Sequence, residues 1–214
     1  MQKKHSFYIY ILIILVFSLL VRIFLLSRSG PIYLGDSQQY LEVMNNILDG
    51  YGFSRIDTTD GKIKPYSRKP PIFFYTSVFL KKILNKDLEN TVIILNFLSS
   101  ILTLLTWLCI TYFITRNIQI TLLSSCLVAI NPNLVYNSLA LMSDTFYLIT
   151  FSLFVLFFML SIMKKKKYLF FISGILMGIS ILTRTVLKAF WIPTIFFHNF
   201  YISNYFFSEC FRNK

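Results

Sequence analysis

The chain has 214 residues, of which 56% are hydrophobic and 18% aromatic, with a mean hydropathy of +0.64 and a formal net charge of +12. A composition so apolar and so unevenly patterned excludes an ordinary water-soluble domain and marks an integral membrane protein. The positive charge sits in short clusters at the ends of apolar runs, not in a stripe spaced for phosphates, so nucleic acid is not an expected partner.

The cysteines, Cys109, Cys126 and Cys210, are odd in number and far apart, and His5 and His198 are isolated. Such spacing supports neither a disulfide framework nor a metal centre, so no metal and no cofactor are expected.

In chain order, Lys3 and Lys4 precede an apolar run over residues 7–26, interrupted only by Arg22. The run is long for a signal core and no small-residue cleavage pattern follows it, so it reads as a retained first span with a cytoplasmic N-terminus. Arg22 is expected to snorkel to the far interface. Residues 36–49 repeat apolar side chains at helical spacing (Tyr40, Leu41, Met44, Ile47, Leu48) before Gly50, the pattern of a short helix lying on the membrane surface. Residues 51–67 hold Gly52, Gly61 and Pro65 without apolar periodicity and read as an exposed loop. Pro70 and Pro71 open a second short helix over 72–84, too short for a span that needs about 20 residues.

Further spans are expected over residues 91–115, 117–136 (with a helix end near Asn131-Pro132), 145–163, 168–182 and 189–207, six in all. Gly174 and Gly178 have the small-xxx-small spacing of helix packing. Lys164 to Lys167 is the strongest cytoplasmic marker. With 72–84 not crossing, residues 27–90, 132–144 and 183–188 all fall on the outer side. The first outer loop, 27–90, holds nine Lys/Arg residues, against the positive-inside tendency, from which long loops are largely exempt. The fold class is therefore all-α: a polytopic membrane protein of about six spans, with a long first outer loop bearing interfacial helices.

This topology gathers Asp36, Arg68, Lys69, Asp144 and Arg184 on one side. A carboxylate with cations around it suits a reaction on an anionic, lipid-linked substrate. Local sequence leaves other roles open. Asp36 opens a helix in an arrangement resembling a cap, Arg68 and Lys69 can hold lipid headgroups, Asp144 can cap the span after it, and Arg184 can anchor a span end. Tyr40 and Tyr66 are either interfacial aromatics or walls of an acceptor groove.

Several short motifs occur together: Gly35-Asp36 followed by Tyr40, the segment Tyr66-Ser-Arg-Lys-Pro-Pro71, Pro132 with Met142-Ser-Asp144, and Gly174-x-x-x-Gly178 leading to Leu182-Thr-Arg184. In this set the chain resembles the membrane-embedded GT-C glycosyltransferases, in particular the protein-mannosyltransferase and lipid A aminoarabinose-transferase branch. The resemblance implies Asp36 as catalytic base and Lys69 as a contact to the donor phosphate, with Arg68 and Arg184 as further phosphate contacts. It leaves Asp144, Tyr40 and Tyr66 as acceptor contacts or structural support. Members usually carry Ser-Glu where this chain has Ser143-Asp144, and often Arg-Pro where it has Arg184-Thr185. They also continue through further spans, so the likeness is of residues 1–214, as one module, to an N-terminal catalytic half.

The implied function is transfer of a sugar from a polyprenyl-phosphate donor to a lipid, glycan or protein hydroxyl at the outer face of a bacterial cytoplasmic membrane. Membrane lipids are the remaining expected partners. Two other readings stay open: an inactive remnant or partner subunit of such an enzyme, and a small transporter or lipid-binding protein.

Overall fold

A computed structural model describes the backbone of residues 2–57 and 61–186. The chain divides into two compact units, Met1–Arg184 and Thr185–Lys214. All that follows concerns the first; the expected span over 189–207 lies outside the described residues.

The described residues form eight helices and one short hairpin. The first helix, α1 (Gln2–Ser29), is followed by α2 (Ser37–Leu48), the strands β1 (Ser54–Ile56) and β2 (Ile63–Pro65), and α3 (Ile72–Leu84). Then come α4 (Leu88–Thr115), α5 (Ile118–Ile130), α6 (Pro132–Ser138), α7 (Asp144–Lys164) and α8 (Lys167–Ile181). Helices α1, α4 and α7 are long and apolar enough to cross a membrane, and α5 with α6 make a fourth crossing if the pair, bent by 52°, is one span. Helix α8 is apolar but has 15 residues. The chain is thus an all-α membrane protein, as its composition requires.

Local chemistry sets the ends of these helices. Asn117 Oδ1 accepts from the amides of Gln119 (2.9 Å) and Ile120 (3.3 Å), which starts α5. Asn131 repeats the device with Asn133 (3.0 Å) and Leu134 (3.2 Å), and Pro132 occupies the first helical position. The span expected over 117–136 therefore breaks after Ile130 and restarts at once. Helices α3, α4 and α7 each end on a residue in the left-handed conformation: Asn85, Arg116 and Lys165.

Backbone hydrogen bonds show which ends meet. The Ile32 amide donates to Leu139 O (2.9 Å) and the Leu141 amide to Ile32 O (3.1 Å), while the Ile72 amide donates to Leu182 O (3.3 Å). The end of α1, the start of α3, the end of α6 and the end of α8 consequently share one rim. Lys164 to Lys167, between α7 and α8, lie at the opposite end of those helices.

The largest buried cluster lies at this first rim and not in mid-bundle. Tyr40, Val43 and Met44 of α2 pack with Phe73, Phe74 and Val78 of α3, Leu88, Val92, Ile93 and Leu95 of α4, Tyr66 and Leu141. Their spacing on α2 and α3 is that of one helical face, and that face holds both helices on the rim. On α1, by contrast, Ile9, Leu12, Ile13 and Phe24 are all more than half exposed, as expected of a lipid-facing surface.

Two expectations are corrected here. Residues 51–67 are not wholly an exposed loop. β1 and β2 pair antiparallel with Ser54 opposite Pro65, and Asn46 Nδ2 donates to Ser54 O (3.0 Å), while Glu42 binds Arg55 Nε (2.8 Å) and the Ile56 amide (2.8 Å). Side-chain hydrogen bonds to a neighbouring helix replaced the apolar periodicity that was sought. Arg22 does not snorkel: it is buried against Ser18 and Ala129. Among the described residues, a Cβ on Gly174 or Gly178 meets no atom within 4 Å, and helix α8 buries Leu169, Ser173, Met177 and Ser180.

Asn96 fixes the segment that leads into α7. Fully buried on α4, it donates through Nδ2 to Ala140 O (2.8 Å) and Met142 O (2.9 Å). Asn96→Leu leaves both carbonyls unpaired, a loss of about 1–3 kcal/mol for each orphaned group. The thermal unfolding midpoint in detergent is expected to fall by several degrees, and an unchanged midpoint contradicts this.

Candidate functional site

Asp36 occupies the cap position of α2, but its side chain makes no capping bond. The Ser37 hydroxyl instead accepts from the Leu34 amide (2.8 Å), and the Asp36 carboxylate is free to turn toward the segment after β2. There Lys69 Nζ donates to Asp36 Oδ2 at 2.7 Å. Proline at 70 and 71 ends the extended approach and starts α3, which places Lys69 at the junction of strand and helix.

The pair is partly accessible, with side-chain exposures of 37% for Asp36 and 29% for Lys69. The hydrogen bond from Lys69 holds the Asp36 carboxyl below the usual range, with smaller contributions from the charges of Arg68 and Arg55. The same bond raises Lys69. Arg68 is exposed beside them.

Tyr40 connects this pair to the second one. Its ring stacks on Phe74 (centroids 4.9 Å apart) and meets the edge of Phe73 (5.8 Å), and Lys69 Nζ lies 5.8 Å from its centroid, in cation–π range. Its hydroxyl is 3.0 Å from the hydroxyl of Ser143, the residue before α7. The next residue, Asp144, forms an ion pair with Arg184 just beyond α8. Arg184 is brought there by the end of α8, where the Leu182 carbonyl receives the Ile72 amide next to Pro71. The Asp144 carboxylate is 19% exposed and is taken up by Arg184; the cap position itself belongs to Ser143.

Tyr66 is buried in the aromatic cluster, edge-on to Phe53 and Phe74. Its hydroxyl has no hydrogen-bond partner, and burial pushes the phenol up from its ordinary value. Neither Tyr40 nor Tyr66 is an exposed belt residue.

Asp36, Lys69, Tyr40, Tyr66, Asp144 and Arg184 thus stand along one rim, although they come from four separate stretches of chain. Sequence reasoning named Ser143 only as part of a motif, without a role, and passed over Asn96. A lone amide in the apolar run of α4 is the signal that would have marked Asn96, since an uncompensated polar group in a span requires a partner.

Fold and site together define an all-α membrane protein whose acids and cations converge at one membrane edge. Residues 68–214 match the family model described as dolichyl-phosphate-mannose-protein mannosyltransferase, and the chain belongs to that family. The match takes in Arg68, Lys69, Asp144 and Arg184, while Asp36, Tyr40 and Tyr66 precede it. No curated protein matches the chain. Membership supplies the broad activity, that of a mannosyltransferase-like membrane glycosyltransferase.

The ion pair has a definite pH signature. A carboxyl depressed in the folded state contributes stability that is complete above its unfolded value, near 3.8, and is lost as pH falls through the folded value. Lys69→Met removes the main cause of the depression. The wild type is expected to unfold at most about 4 °C higher than the variant at pH 7, given the exposure of the pair, and the gap should narrow progressively as pH falls below 3.8. A gap that persists unchanged throughout that fall rules out Asp36 as the partner responsible.

Proposed function

We propose that the chain catalyses transfer of a sugar from a polyprenyl-phosphate donor to an acceptor hydroxyl, by single displacement, at the rim holding Asp36 and Lys69. The observation that carries this reading is the 2.7 Å contact between them, a carboxylate and a cation that are both reachable from outside the packed core.

The acceptor oxygen attacks the anomeric carbon while Asp36 takes the hydroxyl proton. The bond from that carbon to the phosphate oxygen breaks with its electron pair, and polyprenyl phosphate leaves as an anion. One displacement inverts the anomeric centre. A phosphate needs no general acid to depart, which separates this chemistry from glycoside hydrolysis.

Lys69 presents three N–H donors, one of which serves Asp36. The others are available to the phosphate, whose charge grows as the bond breaks, so the interaction is stronger in the transition state than in the ground state. Arg68 adds positive charge at the same edge. Arg184, paired with Asp144, serves the phosphate only if it exchanges that partner, and the pair otherwise supports the floor of the site.

The rim with Asp36 is assigned to the outer face and the opposite one, with Lys164 to Lys167, to the cytoplasm, in a bacterial cytoplasmic membrane. Residues 27–90 then form the outer loop of a single GT-C-like module. The acceptor is a protein, glycan or lipid hydroxyl.

The test is transfer of radiolabelled sugar from a polyprenyl-phosphate donor in membranes containing the full chain. Lys69→Ala is expected to lower the rate roughly 10²–10³-fold, as loss of one transition-state donor does at comparable sites. Asp36→Asn keeps the shape and removes the base, and should lower it by about 10²–10⁴. Transfer unaffected by Asp36→Asn at equal protein levels removes the base assignment.

A further inference from the structure

Arg22 and Thr145 have no part in the reaction above, yet they share an arrangement that requires an occupant. Arg22 is 1% exposed, although it is a cation on a spanning helix about 10 Å below the rim end of α1. Its Nη1 donates to the Ser18 carbonyl (3.0 Å), to the Ser18 hydroxyl and to the Ala129 carbonyl (3.5 Å). Ala129 lies at the end of α5, where a continuous helix would offer its carbonyl the Asn133 amide. That amide is diverted to Asn131 Oδ1, so the guanidinium takes up a carbonyl freed by the helix break.

The Nε–H of Arg22 has no partner, and neither has Oγ1 of Thr145, which is 2% exposed in the first turn of α7. Both residues line one small cavity of about 10 Å³, together with Ser100, Thr103, Val128 and Leu134. The hydroxyls of Ser100 and Thr103 donate to Phe97 O (2.8 Å) and Ser99 O (2.7 Å), which leaves their oxygens as acceptors. A buried water needs about 10–15 Å³ and two to four polar partners.

We propose that this cavity is a binding site for one water molecule, which accepts from Arg22 Nε–H and donates to Thr145 Oγ1. Two polar groups orphaned in a low-dielectric interior are costly, and one water satisfies both. The ligand ties α1 and the α5/α6 break to the first turn of α7, one residue from Asp144. It therefore helps fix the position of the Asp144–Arg184 end of the site without touching a substrate.

The test compares Thr145→Val and Thr145→Ser in the full chain, purified in detergent, by thermal unfolding. With water bound, Val deprives it of a partner and strands the Arg22 donor, and the midpoint falls by about 2–8 °C. Ser keeps the hydroxyl and should stay within about 2 °C of wild type. In a dry cavity, Val instead removes an orphaned hydroxyl, so an unchanged or raised midpoint overturns the proposal. A wild-type midpoint that rises with chloride or bromide, and does so no longer in Thr145→Val, assigns the cavity to an anion and equally overturns it. A midpoint needs no catalytic activity, so absence of sugar transfer leaves the water site standing, and loss of the water site leaves the transferase reading intact.

Discussion

The rim site depends on how the chain fastens the segment from Leu139 to Ser143. On one side Ile32 bonds its backbone at both Leu139 and Leu141, and on another Asn96 reaches out of α4 to the Ala140 and Met142 carbonyls. The segment has no regular structure to satisfy its own carbonyls, so these contacts decide where it lies. Once it is fixed, Ser143 faces Tyr40 and Asp144 faces Arg184. The two halves of the site, brought from opposite ends of the sequence, come into register through this loop.

The electrostatic character of the rim follows from the packing beneath it. Tyr40 and Tyr66 sit on a floor of Phe53, Phe73 and Phe74 that excludes water from one side of the Asp36–Lys69 pair, while the other side stays open. A carboxylate in this half-screened position remains ionised because the ammonium beside it outweighs the desolvation. It meets an incoming hydroxyl as an acceptor. The ammonium keeps donors in reserve for an anion, and the ring of Tyr40 below it favours the cation without consuming a hydrogen bond.

Much of this was legible in the sequence. The periodicity of α2 and the prolines opening α3 fixed both surface helices, and α3 begins and ends where the apolar run does, Ile72–Leu84. The expected topology gathers Asp36 and Lys69 on one side, and the family likeness supplies their roles, since local sequence alone favours a cap for Asp36. The cap is not made because the Asp36 carboxylate is taken up by Lys69, 33 residues away, which local sequence does not reveal. The hairpin was missed because it is held by Glu42 and Asn46 of α2 and not by alternating apolar side chains. The ion pair of Asp144 with Arg184 depends on where α8 ends relative to α7, a matter of tertiary packing beyond local propensity. Arg22 was misjudged because its partner, the Ala129 carbonyl, becomes available only through the break at Pro132.

The bundle also bears on where chemistry can occur. The buried hydroxyls of Ser99, Thr103 and Thr106 on α4 donate to carbonyls one turn back on their own helix, at 2.7–2.8 Å, and Ser152 on α7 does the same at 2.6 Å. A hydroxyl engaged in this way has committed its proton to the backbone and keeps only acceptor capacity, whereas a transport path requires polar groups that exchange partners near mid-membrane. The protons of these hydroxyls therefore serve the helices themselves. The Asp36–Lys69 and Asp144–Arg184 pairs at the rim are each partly open to solvent, and this placement of charge suits a reaction at the membrane surface better than passage through it.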